Sequence, residues 1–136
     1  MDFLKSIAIA ASGLRSQAGR MRVISENIAN ADSTAPAKGA DPYRRKIPTF
    51  SSEVDRALDA RLVSLGRTRP DMLEFRLKHE PGHPAADANG MVKYPNVNSL
   101  VEMTDLREAQ RSYEANINVI SASRRMIQRT IEILRS

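Results

Sequence analysis

Cysteine and tryptophan are absent from this 136-residue chain, aromatic side chains supply only 4% of it, and histidine occurs twice. The missing thiols exclude disulfide staples, and they remove the commonest soft metal ligand. With so few aromatic rings, a single large core is not expected, because those rings normally provide much of the buried area. Long hydrophobic runs are missing too. The nearest approach, Ile7 to Ala11 behind Lys5, carries Ala8-Ile9-Ala10 as a mimic of a cleavage site, but it is too short for a signal-peptide core or a membrane span. No cleaved secretory signal and no membrane span are expected. Also lacking is a charge block. The net charge of +5 comes from 21 basic and 16 acidic residues, interspersed so that no five consecutive bases occur. A solvated mixed-charge surface is therefore expected rather than a nucleic-acid or anionic-lipid face. By length the chain fits one domain.

What the chain does have is helical periodicity at both ends. From Asn98 to Ser136 neither glycine nor proline intervenes. Met103, Leu106, Tyr113, Ile117, Ile120, Ile127, Ile131 and Leu134 recur in steps built of three and four, which predicts one long helix with a heptad seam. Gln110 and Arg124 are the polar members of that seam. Ser99 with Glu102 reads as a capping box, and Pro95 precedes it. Acids gather in the first turns and arginines in the last, as the helix dipole favours. A second heptad helix is predicted over residues 3–30, with Leu4, Ile7, Ala11, Leu14, Ala18, Met21, Ser25 and Ile28 on its seam. Gly13 and Gly19 cost that helix about 1 kcal/mol each relative to alanine. It should be marginal until packed.

Between the helices the pattern is mixed. Residues 34–41 read as a loop broken by Pro36, Gly39 and the following Pro42. Tyr43-Arg44-Arg45-Lys46 is a short basic stretch, read as a solvated connector before a phosphate-binding patch. Residues 52–65 fit either a short helix or a strand. Leu73 to His79 alternates apolar and charged residues and predicts a half-exposed strand. Asn89-Gly90 predicts a turn leading into a short strand from Met91 to Tyr94.

Catalytic motifs fail on inspection. His79-Glu80-Pro81-Gly82-His83 spells a zinc-hydrolase string, but that motif needs a helix to present both histidines together, and the prolines and Gly82 forbid one. No phosphate-cradling loop and no nucleophile in a recognisable setting occur. An enzyme is not expected, and no cofactor or metal is implied. The helices permit three classes: a self-assembling structural subunit, a basic helical nucleic-acid binder, or a two-helix adaptor. Periodicity alone does not choose between the first and the third. A binder would need a one-sided arginine stripe, whereas Arg107 and Arg111 share their faces with acids.

Two motifs make the choice. The run from Ala10 to Ser33, AASGLRSQAGRMRVISENIANADS, resembles the N-terminal signature of flagellar basal-body rod and hook proteins. Ala11, Ser12, Gly13, Leu14, Val23, Ile24, Ser25, Asn27, Ile28, Ala29, Asn30 and Ala31 stand where that signature requires them. Arg111-Ser112-Tyr113-Glu114-Ala115-Asn116 matches its C-terminal counterpart. The insert from Ala31 to Lys46, in place of the usual T-P-G-Y, is similar to the proximal-rod branch of the family. The resemblance is thinnest from Thr49 to Met72, and it favours a strand near residues 61–65. It implies a mainly α fold with a small β module. Long N- and C-terminal helices (1–34 and 98–136) would form a coiled-coil layer, and residues 35–97 a short β-rich outer insert. It further implies a structural subunit of the rod, exported unfolded by the flagellar type III apparatus and assembled in the periplasm. Partners would be other copies, other rod proteins and the junction with the export gate and membrane ring. Contacts between subunits would then lie on the two seams. Ala11, Ser12 and Gly13 would permit close approach, and Asn27, Asn30 and Asn116 would cap or bridge helices.

Overall fold

The computed structural model describes residues 2–136. It holds two long helices, α1 (Phe3–Ala29) and α2 (Ser99–Arg135), separated by six short strands. These strands form three two-stranded antiparallel sheets. β1 (Lys46–Ile47) pairs with β4 (Arg69–Pro70), β2 (Phe50–Asp55) with β3 (Ala60–Leu65), and β5 (Arg76–His79) with β6 (Met91–Tyr94). The fold is mainly α with a small antiparallel central region. Among the described residues no helix is long and apolar enough to cross a membrane.

The helix ends follow from local hydrogen bonding. Asp2 caps α1, its Oδ1 accepting from the N–H groups of Leu4 at 3.0 Å and Lys5 at 3.2 Å. At α2 the expected cap moves by one residue. Asn98, not Ser99, accepts from Leu100 and Val101 at 3.1 and 3.4 Å. Glu102 does not close a capping box there, because a tertiary partner claims its carboxylate.

Residues 52–65 lie in the β2–β3 hairpin, which removes the helical alternative. Its turn is set by Asp55, whose Oδ1 accepts from Ala57 at 2.9 Å and Leu58 at 3.2 Å, with Asp59 at a φ of 47°. The alternating stretch 73–79 keeps strand structure only from Arg76 onward. Upstream, Arg44 and Asn96 side chains donate to the carbonyls of Asp71 and Leu73, so side chains replace a ladder there. The Asn89-Gly90 turn is present, with Gly90 at a φ of 78°.

The chain gathers into two compact units. Unit 1 contains the chain up to Met21, Thr49–Gly66 and Arg107–Ser136. Here the β2–β3 hairpin is tied to α1 through two serines. Ser12 Oγ accepts from Val63 N–H at 3.2 Å and donates to the carbonyl of Ile9 at 2.7 Å, while Ser16 Oγ donates to Val63 C=O at 3.2 Å. Antiparallel neighbours on α1 and α2 meet where Gly13 faces the Asn116 amide; a Cβ at Gly13 would lie 2.9 Å from that side chain. Arg20 pairs with Glu108 at 3.5 Å. Unit 2 contains Arg22–Pro48 and Arg67–Leu106. Its apolar centre holds Ala86, Val92 and Tyr94.

Ser12→Ala removes both bonds of the buried hydroxyl and strands the Val63 N–H. The expected loss is about 1–3 kcal/mol, read by chemical denaturation, with faster hydrogen exchange at the Val63 amide as its local signature.

Candidate assembly interface

Both helices bury a stripe that differs from the seam their sequence advertises. On α2 the covered face follows Glu102, Leu106, Ala109, Tyr113, Asn116, Ile120, Ser123 and Ile127, buried or half-buried and spaced by alternating fours and threes, with Asp105, Ser112, Ser121 and Ala122 half-buried at its margin. This heptad shares Leu106, Tyr113, Ile120 and Ile127 with the expected seam. It replaces Met103, Gln110, Ile117 and Arg124 with the residue just before each. Successive helical residues point about 100° apart, so that exchange turns the covered face away from Met103 and Ile117. Those two are 51% and 40% exposed, and Ile131 and Leu134 are 50% and 81% exposed. On α1 Ala10, Ser12, Ser16, Val23, Ile24 and Asn27 are buried and mark the inward face. Of the expected α1 seam, Ile7, Ala11, Leu14, Met21 and Ile28 are half-buried, whereas Leu4, Ala18 and Ser25 are exposed.

Small or short residues explain the shift. Ala109 and Ser123 bring little side-chain bulk to the covered face of α2, and Gly13 lets the Asn116 amide lie against the backbone of α1. The residues one position on, Met103, Gln110, Ile117 and Arg124, are left outside. Two of the expected contact residues are instead spent inside the chain. Ser12 serves the hairpin, and Asn27 is fully buried in unit 2. Asn30 donates from Nδ2 to the carbonyl of Glu26 at 2.9 Å and accepts from Ser33 Oγ, finishing α1. Asn116 Nδ2 donates at 3.0 Å to the Ser112 carbonyl of its own helix.

Asn27 centres a polar lock in unit 2 that the sequence reading missed. Its Nδ2 donates to the carbonyl of Lys46 at 2.9 Å and to Glu102 Oε2 at 3.2 Å. Its Oδ1 accepts from Tyr43 Oη at 2.8 Å and from Lys46 N–H at 2.9 Å. All four hydrogen-bonding positions of the amide are thereby filled. Glu102, also fully buried, takes the Arg45 guanidinium on its other oxygen. Arg45 reaches Asp71 at 3.2 Å as well, and its N–H donates to Asn96 Oδ1 at 2.8 Å. Burial works against the Arg45 charge, but its bonds and charges with Glu102 and Asp71 outweigh that and hold its pKa above the ordinary value. The basic stretch 43–46 is thus neither a solvated connector nor an anion patch. Arg44 lies 4.2 Å over the Phe75 ring, and Lys46 pairs with Glu26. The legible signal was phase, since Glu102 stands seven residues before Ala109 on one stripe. The partner for that acid was not legible.

The His79–His83 string runs from the end of β5 into a turn rather than along a helix. His83 Nδ1 accepts from Ala85 N–H at 3.0 Å, and its Nε2 lies 3.5 Å from Thr34 Oγ1.

Two outcomes test the lock. Glu102→Ala removes one partner of a buried ion pair; the expected destabilisation is about 3 kcal/mol, measured by denaturant unfolding. Tyr43 gives the second. Burial, then the charges of Glu26 and Glu102, push its phenol up to about 12 from an ordinary 10.0. A raised folded-state value means the neutral phenol contributes stability below the unfolded value, and that contribution is lost as pH rises toward the folded one. Stability should therefore fall between pH 10 and about 12, and Tyr43→Phe should flatten that fall when unfolding is followed across the same range.

Comparison with known proteins reveals extensive similarity. The family described as "Flagella basal body rod protein" matches residues 7–38, and that described as "Flagellar basal body rod FlgEFG protein C-terminal" matches residues 88–133. A relative from Agrobacterium fabrum named flagellar basal-body rod protein FlgC is 52% identical across 100% of this chain and 99% of its own length. Proteins of the same name from Salmonella typhimurium and Bacillus subtilis are 37% and 35% identical. Each alignment spans 98% of this chain, with 98% and 99% of the relatives covered.

Proposed function

Because this chain belongs to the family of flagellar basal-body rod proteins named FlgC, and is a structural subunit of that rod, we propose that it assembles by burying between copies the apolar stripes its own fold leaves bare. The terminal segments 1–34 and 98–136 form a coiled-coil layer around a central channel, and residues 35–97 stand outside it. The assembled tube serves as drive shaft and export channel. The chain is exported by the flagellar type III apparatus without a cleaved signal and joins the rod in the periplasm. Its partners there are its own copies, other rod proteins and the export-gate and membrane-ring junction.

One observation carries this reading. Met103, Ile117, Ile131 and Leu134 continue the periodic seam of α2, yet they remain 40% to 81% exposed. A row of large apolar side chains left in water on one long helix marks an interaction surface rather than chance exposure. Leu4 at 69% exposure adds to it from α1.

Ile131→Asp tests the proposal at a position the chain itself does not cover. The purified variant should keep its helix content. In cells it should abolish the rod and swimming, because an unpaired charge buried at each interface costs several kcal/mol. The control is Arg107→Glu with Arg111→Glu, which reverses two exposed charges whose surface interactions are worth under about 1 kcal/mol each and should leave swimming intact. Loss of function in the arginine variant together with normal swimming by Ile131→Asp would replace the assembly reading with a basic binding face.

A further inference from the structure

Two of the small sheets have open edges of opposite charge. Among the described residues β2 pairs with β3 alone, and β5 with β6 alone. The free edge of β2 can be read residue by residue. Both peptide groups of Val63 are taken by Ser12 and Ser16 of α1, so they turn away from β2. In an antiparallel ladder the residue opposite does the same. Ser52 faces Val63 and Val54 lies two residues further on, so both direct N–H and C=O outward. On the other sheet, Glu80 N–H bonds to the Gly90 carbonyl at 2.8 Å, which makes that pair the bonded one. Leu77 and His79 then direct their peptide groups to the free edge of β5.

Side chains alternate along each strand. Glu53 and Asp55 share one face of β2, and Arg76 and Lys78 share one face of β5. Every residue of β5 is exposed, as are Phe50 to Val54 of β2. The two bases are already oriented, since Arg76 meets Asp32 at 3.6 Å and the Lys78 ammonium lies 4.4 Å over the Tyr94 ring.

We infer that β2 of one copy adds antiparallel to β5 of the next, forming a four-stranded sheet across the subunit boundary with Val54 opposite Leu77, Glu53 opposite Lys78 and Asp55 opposite Arg76. Charge selects this register. A shift of two residues one way sets Asp55 against Glu74, and the other way sets Glu53 against Glu80; like charges directly opposite are destabilising. A shift of one residue sets outward peptide groups against inward ones. In the selected register all the open backbone groups of Val54 and Leu77 are paired, and these two side chains, 56% and 58% exposed, cover each other. The occupant is a second copy of this chain because the acidic and basic edges both belong to it. A contact between unlike edges is heterologous and propagates from copy to copy. Strand addition of this kind draws affinity from main-chain bonds and specificity from the alternating side chains.

The inference rests on the rod-subunit reading, and the experiment separates the two. The natural chain has no cysteine, so Glu53→Cys with Lys78→Cys introduces the only thiols. Mild oxidation of basal bodies isolated from cells making this variant should yield a ladder of dimers and higher multimers that collapses on reduction. Neither single variant should give one. Basal bodies that contain the chain but show no ladder would overturn the strand addition and leave the rod reading standing. Dimers from Glu53→Cys alone would overturn it in favour of β2 pairing with β2. Wild-type basal bodies devoid of the chain would overturn the rod reading itself. Charge reversal gives a second measurement: Glu53→Lys and Lys78→Glu should each impair swimming, and together restore it. Failure of that rescue would count against the pairing even if the cysteine variant does not assemble.

Discussion

The buried carboxylate of Glu102 is the constraint on which unit 2 depends. A fully buried charge costs several kcal/mol to desolvate, and only close, well-aligned partners offset that cost. Arg45 supplies the counter-charge and Asn27 a hydrogen bond from the opposite helix. Each partner is itself held: Arg45 by Asp71, Asn27 by Tyr43 and by both backbone groups of Lys46. The result joins the C-terminal part of α1, the segment 43–46, the Asp71 loop and the start of α2 through directional bonds. Apolar packing at this point could slide by a turn with little penalty. A saturated amide and a paired carboxylate cannot, so register is set here by electrostatics rather than by volume.

Unit 1 solves the same problem with smaller groups. Ser12 and Ser16 occupy the outward peptide groups of Val63 and so close one edge of the β2–β3 hairpin with a helix. Gly13 and Gly19, costly within an isolated helix, sit where a Cβ would meet Asn116 at 2.9 Å and Leu65 at 2.7 Å. The helix bears their entropic cost because neighbours approach too closely there for a Cβ. The signature and seam residues of α1 therefore divide by role. Ser12, Gly13 and Asn27 serve the subunit's own packing, whereas Leu4 and Ala18 remain free of it.

For a rod subunit this division has a physical logic. A subunit of a rod needs enough internal structure to set its interfaces and enough bare apolar surface to use them. α2 meets both needs by presenting two overlapping heptad stripes. The inward one sets Glu102, Ala109, Asn116 and Ser123 beside half-buried Leu106, Tyr113, Ile120 and Ile127, whereas Met103, Ile117, Ile131 and Leu134 are left outside.

The sequence by itself determined the two helices, the loop after residue 34, the Asn89-Gly90 turn and the family, since these depend on local periodicity, local turn chemistry and contiguous motifs. It also showed that α2 carries a seam of period three and four. Which of two adjacent stripes would be covered was decided by tertiary structure alone. That choice turns on what faces each residue: Gly13 opposite Asn116 in one unit, Arg45 and Asn27 around Glu102 in the other. The hairpin over residues 50–65 was undecided for a related reason, its short apolar run fitting either element until Ser12 and Ser16 claimed its edge. Arg45 and Glu102 lie fifty-seven residues apart in the chain, and no local pattern couples one acid among several on a helix to one arginine in a basic run. Only the folded chain brings them together, because only burial makes that pairing obligatory.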